Sequence, residues 1–139
     1  EIQSEGRPPT RDEARELLTT LLHTLAEVMV SERSRPWARF LIREQMEPTQ
    51  AFDKVYEAVM RPMLEAVRRL VGVLLEDAPT SERVRLRSLS LIGSLMIFRV
   101  ANAAALRQLE WNEMGPRELD AIRGNITDIV RSLHGGGVK

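Results

Sequence analysis

Few residues in this chain have the type and spacing that chemistry needs. There are two histidines, and only His23 has a second donor at helical spacing, Glu27 four residues on. Zinc sites take three or four ligands, so this pair reads as part of a solvated helix face and no metal is expected. His134 stands at a helix end beside a glycine run. The chain has no cysteine, which excludes disulfides, thiolate catalysis and Cys-ligated metals. No nucleophile motif, Gly-rich phosphate loop or metal signature occurs. The carboxylates alternate with arginines at the spacing of i,i+4 pairs. Asn125-Ile-Thr127 spells a glycosylation sequon, yet it falls mid-helix in a chain that no signal-peptide pattern opens. Neither enzymatic activity nor a cofactor is expected.

What remains is binding chemistry. Arg99 falls inside an apolar stretch, where an uncompensated guanidinium would cost several kcal/mol. It either anchors an anionic ligand group or pairs internally with a carboxylate such as Glu44, Asp53 or Glu57. Phe40, Phe52, Tyr56, Met60, Met63, Met96 and Phe98 either line a pocket or form plain core; methionines adapt to varied ligands and Tyr56 offers a polar handle. The candidate ligand site is therefore Phe40, Glu44, Tyr56, Met60, Met96 and Arg99. Trp37 and Trp111, near helix ends, are expected to clamp loops.

These residues must be positioned by helices. The length of 139 residues fits one domain, and 43% hydrophobic content with only 4% aromatics suits helical packing. Twenty basic residues balance twenty acidic ones, so direct DNA binding through phosphates lacks the usual basic excess, and a membrane-surface role lacks electrostatic support. No apolar run reaches the ~18 residues of a membrane span. A cytoplasmic location is expected.

Residues 1–9 read as a linker. Thr10 and Glu13 form a capping-box signature, and Ala14, Leu17, Leu18, Leu21, Leu22, Leu25, Val28 and Met29 carry a helix to about Ser31. Pro36 suits the first turn of a short second helix ending near Met46. A third runs from about Gln50 to Glu76, with a kink or break expected at Met60–Pro62. After an Asp77–Thr80 loop, the longest helix spans about Ser81 to Leu109, and its centre is apolar or small almost all round. One side must then bury in the core while another meets a second chain. The row Ser90, Ser94, Ile97, Ala101 and Gln108 lets another helix come close. With the stripe Ile122, Ile126 and Ile129 it suggests a symmetric interface, against ordinary packing within one chain. The last helix opens at Pro116 and ends at the glycines 135–137, with Gly135 suited to a left-handed cap. The fold class is an all-α bundle of five to six helices over 10–134, with a flexible tail at 135–139.

Three stretches carry a family likeness: Arg43-Glu-Gln-Met-Glu-Pro-Thr-Gln-Ala-Phe-Asp with Tyr56-Glu and Met60-Arg-Pro; Phe98-Arg-Val-Ala; and Leu106-Arg-Gln-Leu-Glu-Trp111 with Gly115-Pro-Arg-Glu-Leu119. Over about Ala14 to Leu133 the chain resembles the C-terminal domain of the CecR-like branch of TetR transcriptional regulators. The resemblance implies a helical domain enclosing a small-molecule pocket, and a homodimer formed by the last two helices. It also implies DNA binding only through an N-terminal helix-turn-helix domain, which nothing before Thr10 could supply. A stand-alone helical adaptor for a protein partner is the alternative.

Overall fold

The computed structural model describes residues 7–135, and among these every regular element is helical. Helix α1 covers Arg11–Val30, α2 Arg35–Met46, α3 Gln50–Val55, α4 Arg61–Leu75, α5 Glu82–Val100, α6 Asn102–Leu109 and α7 Pro116–Arg131. A 3-10 turn at Glu32–Ser34 precedes α2, and a π-helical turn at Tyr56–Met60 joins α3 to α4. With α3, the π turn and α4 taken as one rod, the expected bundle of five to six helices is present. The linker residues 1–6 and the tail at 136–139 lie outside the described residues.

Helix α1 starts where its caps demand. Thr10 Oγ1 accepts from the Glu13 N–H at 3.1 Å while Glu13 Oε1 accepts from the Thr10 N–H at 2.9 Å, satisfying two donors that the helix leaves open. Ala14, Leu18, Leu22 and Ala26 then form one fully buried stripe. Helices α4, α5 and α7 pack around α1. They contribute Val67, Val71 and Leu74; Val84, Leu91 and Leu95; and Ile122, Ile126 and Val130 to a single core.

Two local features depart from the expectation, while at Met60–Pro62 the expected disruption takes the form of a π-helical turn rather than a full break. Proline has no N–H and its ring crowds the preceding turn, and the ladder widens instead, the Arg61 N–H reaching the Tyr56 carbonyl five residues back. The long helix does break, at Ala101 (φ −116°, ψ 44°), and α6 leaves α5 at 90°. The Asn102 side-chain amide donates to the Phe98 carbonyl at 3.1 Å and supplies a donor there. No single described helix is long and apolar enough to cross a membrane; α5 and α6 together would be, but for that bend. Finally, Gly135 is not a left-handed cap. Its role is close approach, since a Cβ there would fall 2.5 Å from the Leu75 carbonyl oxygen. The left-handed positions are Glu76 (φ 55°) and Glu110 (φ 59°), at the ends of α4 and α6.

Candidate functional site

The π turn aims Tyr56 toward α5, where a groove of about 380 Å³ opens between the two rods. Tyr56, Arg61, Leu64, Glu65 and Arg68 line one wall, and Arg85, Ser88 and Leu89 the other. Tyr56 is held by stacking on Phe52, ring centroids 5.9 Å apart. Arg61 bridges Glu57 and Glu65 at 3.0 Å each, and its hydrogen bonds to Glu65 and then Glu57 hold its guanidinium pKa above the ordinary value. Arg68 reaches Glu65 only at 3.7 Å. Arg85 donates through Nε to the Thr80 carbonyl at 3.0 Å and forms no ion pair among the described residues. Ser88 is 1% exposed, and its Oγ has no hydrogen-bond partner among the described residues. The arrangement suits binding: hydrogen-bond donors and positive charge meet apolar surface.

Of the candidate ligand residues, only Tyr56 lines this groove. Phe40 lies on α2, edge-on to Trp37 at 5.7 Å and under Arg43 at 5.9 Å. Glu44, also on α2, is buried and accepts from the backbone N–H and the hydroxyl of Thr49, each at 2.9 Å. The Thr49 N–H bond is the main cause of its lowered pKa. Met60, in the π turn, accepts a weak bond from Gln45 Nε2 at 3.9 Å, and Met96 packs against the core. Arg99 meets none of Glu44, Asp53 or Glu57. It donates to the Ser31 carbonyl and, at 3.0 Å, to Ser34 Oγ, so it ties α5 to the α1–α2 connection. Glu44 is committed to Thr49, and a backbone carbonyl takes the place of the carboxylate expected beside Arg99.

The proposed interface residues divide. Ile122 and Ile126 are each 3% exposed and belong to the chain's own core, and Ile129 packs against it. Their stripe is the face of α7 that packs within the chain, and of the three only Ile129 keeps some exposed surface. Ser94 is half-buried with its hydroxyl on the Leu91 carbonyl at 2.6 Å, and Ala101 sits at the α5–α6 break. Ser90 and Ile97 do face outward, in a row with Leu86, Leu89, Gly93 and Val100. His23 is no solvated residue: Nε2 lies 3.0 Å from both the Arg123 carbonyl and Thr127 Oγ1, pinning α1 to α7. Glu27 pairs instead with Arg123 at 3.4 Å, and no group of three metal-ligating side chains forms among the described residues. Trp111 packs on the core under Arg117, whereas Trp37 is 57% exposed and meets Phe40 within its own helix.

The groove arginines and Ser88 were missed from the sequence. One signal was available: Ser88 occupies the row Val84, Leu91, Leu95, where every other side chain is apolar and buried.

Residues 14–137 match the model of the C-terminal domain of the HTH-type transcriptional dual regulator CecR. The chain belongs to this family. A member from Shigella flexneri, the HTH-type transcriptional dual regulator CecR, is 24% identical over 119 residues, which is 86% of this chain and 53% of that protein. The chain thus spans about half the length of the curated relative it matches. The family assignment agrees with the resemblance read from the residues: the chain is a domain of the CecR C-terminal type.

Proposed function

We propose that this chain is the effector-sensing and dimerising domain of a TetR-type regulator, acting as a repressor from the cytoplasm and reaching DNA through a helix-turn-helix domain outside these residues. The observation that carries the reading is the outward row on α5. Leu86, Leu89, Ile97 and Val100 are each about half or more exposed (59%, 57%, 49% and 55%), with open space over Gly93. A continuous apolar row on an otherwise charged domain favours a partner surface, and symmetry makes a second copy the simplest partner. The row belongs to the same helix that walls the groove, so a ligand there acts on the interface helix. Ligand favouring one arrangement of α4 against α5 would shift the population of dimer geometries and with it the spacing of the DNA-reading heads.

Sedimentation of the chain across a wide concentration range tests this. A dimer that forms with rising concentration is expected. A monomer at every concentration refutes the dimer and moves the adaptor reading, in which the α5 row takes a different protein, to first place.

A further inference from the structure

We infer that the groove between the Tyr56–Arg68 segment and α5 is a binding site for an organic monoanion: a carboxylate head on an aromatic or aliphatic body. The inference rests on the effector reading and names its ligand class. Two independent observations carry it. The first is the Ser88 hydroxyl. A buried polar group without a partner costs free energy and is rare in folded chains, and a serine mid-helix ordinarily satisfies itself on a carbonyl of the preceding turn, as Ser94 does. Ser88 does not, although it lines the groove at 1% exposure.

The second is the balance of charge. Arg61 is spent on Glu57 and Glu65, both at 3.0 Å. Among the described residues Arg68, whose side chain is only 19% exposed, has just the 3.7 Å contact with the shared Glu65. Arg85, on the opposite wall, uses Nε alone. Three guanidinium groups against two carboxylates leave one positive charge in excess, which matches one negative charge on a ligand. Guanidinium groups suit a carboxylate because their forked donors can bind both of its oxygens. The Tyr56 ring and the side chains of Leu64 and Leu89 supply the apolar remainder. The volume of about 380 Å³ lies at the lower end of small-molecule sites.

Calorimetry and amide chemical shifts on the 139-residue chain test the inference, with 4-phenylbutyrate, 4-phenyl-1-butanol and inorganic phosphate as probes. The expected result is saturable 4-phenylbutyrate binding with shifts at Tyr56, Arg68, Arg85 and Ser88. The neutral alcohol should bind about tenfold more weakly, because it forgoes the charge-assisted bonds, and phosphate, lacking a body, weaker still. Arg85→Gln, at an exposed position, should weaken the acid about tenfold and leave the alcohol unchanged. Ser88→Ala should weaken the acid without lowering the melting temperature, since it removes a hydroxyl that has no partner. Equal binding of acid and alcohol, shifts mapping elsewhere, or an unaltered affinity in Arg85→Gln each overturns the inference. Acid bound in the groove without any change in sedimentation supports the site and refutes its effector role. A ligand-free groove in a chain that still dimerises refutes the site and leaves the dimer standing.

Discussion

Glu44 Oε1 accepts both the backbone N–H and the hydroxyl of Thr49 at 2.9 Å, closing the turn between α2 and α3 with one carboxylate oxygen. The same threonine caps α3 by accepting from the Ala51 N–H at 3.2 Å. Glu118 plays the same part at the other end of the chain, accepting from the Gly115 N–H at 3.0 Å ahead of α7.

Both carboxylates make stability pH-dependent. The Glu44 pKa is lowered chiefly by the Thr49 N–H, and that of Glu118 by its own N–H, then by Gly115 and Arg117. A carboxyl held below its unfolded value of about 4.3 stabilises the fold fully above that pH, and the contribution is lost as pH falls through the lowered folded value. The double variant Glu44→Gln/Glu118→Gln should therefore flatten the acid limb of a urea-midpoint profile below about pH 5. An acid limb as steep as that of the wild type would show that these two groups do not set it.

Arg99 is a structural clamp. Losing its bonds to the Ser31 carbonyl and Ser34 Oγ in Arg99→Ala should cost about 1.5–3 kcal/mol, the range for bonds from a charged donor. Urea unfolding measures it. Stability within about 0.5 kcal/mol of the wild type, the usual scatter of surface substitutions, would contradict the clamp.

Ile97 and Ile126 should behave oppositely. Ile97→Asp puts a charge on the outward row of α5, where the wild-type side chain is 49% exposed; it should shift sedimentation toward monomer while far-ultraviolet circular dichroism stays unchanged. Ile126→Ala empties a site inside the core and should cost about 2–4 kcal/mol in urea unfolding. If Ile97→Asp leaves the mass distribution as it was, the α5 row is not the interface. A cost below about 1 kcal/mol for Ile126→Ala would mean that the site collapses around the gap.

Glu110 ends α6 with φ 59°, a conformation that costs a residue with a Cβ roughly 1 kcal/mol. Glu110→Gly should raise stability by up to about 0.5 kcal/mol, most of the relieved strain being offset by the greater freedom of glycine in the unfolded chain. Thermal unfolding reads this directly. An unchanged or lower midpoint would mean that the unfolded-state term prevails.

The helices were legible because their signals are local. Thr10 with Glu13, Pro36 and Pro116 act within one turn of their own backbone, and the α1 stripe Ala14, Leu18 and Leu22 follows from the helical repeat alone. The family was legible for a related reason: its motifs sit at helix junctions, where the residue type is tied to the local path of the chain. The groove was not. Arg68 and Arg85 look like any other solvated arginines until α4 and α5 are laid side by side.

By itself, then, the sequence determined an all-helical chain, the positions of most helix ends and the family, since caps, prolines and apolar period act over a few residues. Tertiary packing decided which side of each helix faces what. On α5 the apolar residues surround the axis, so periodicity cannot choose among faces, and only the seating of α1, α4 and α5 leaves Ile97 outside and Leu95 inside. On α7 the sequence left the apolar stripe two uses, and packing against α1 takes up most of it. Packing likewise gave Arg99 a backbone carbonyl, gave Glu44 to Thr49, and left Ser88 with no partner of its own. Those outcomes depend on distances between residues far apart in the chain, which no local pattern encodes.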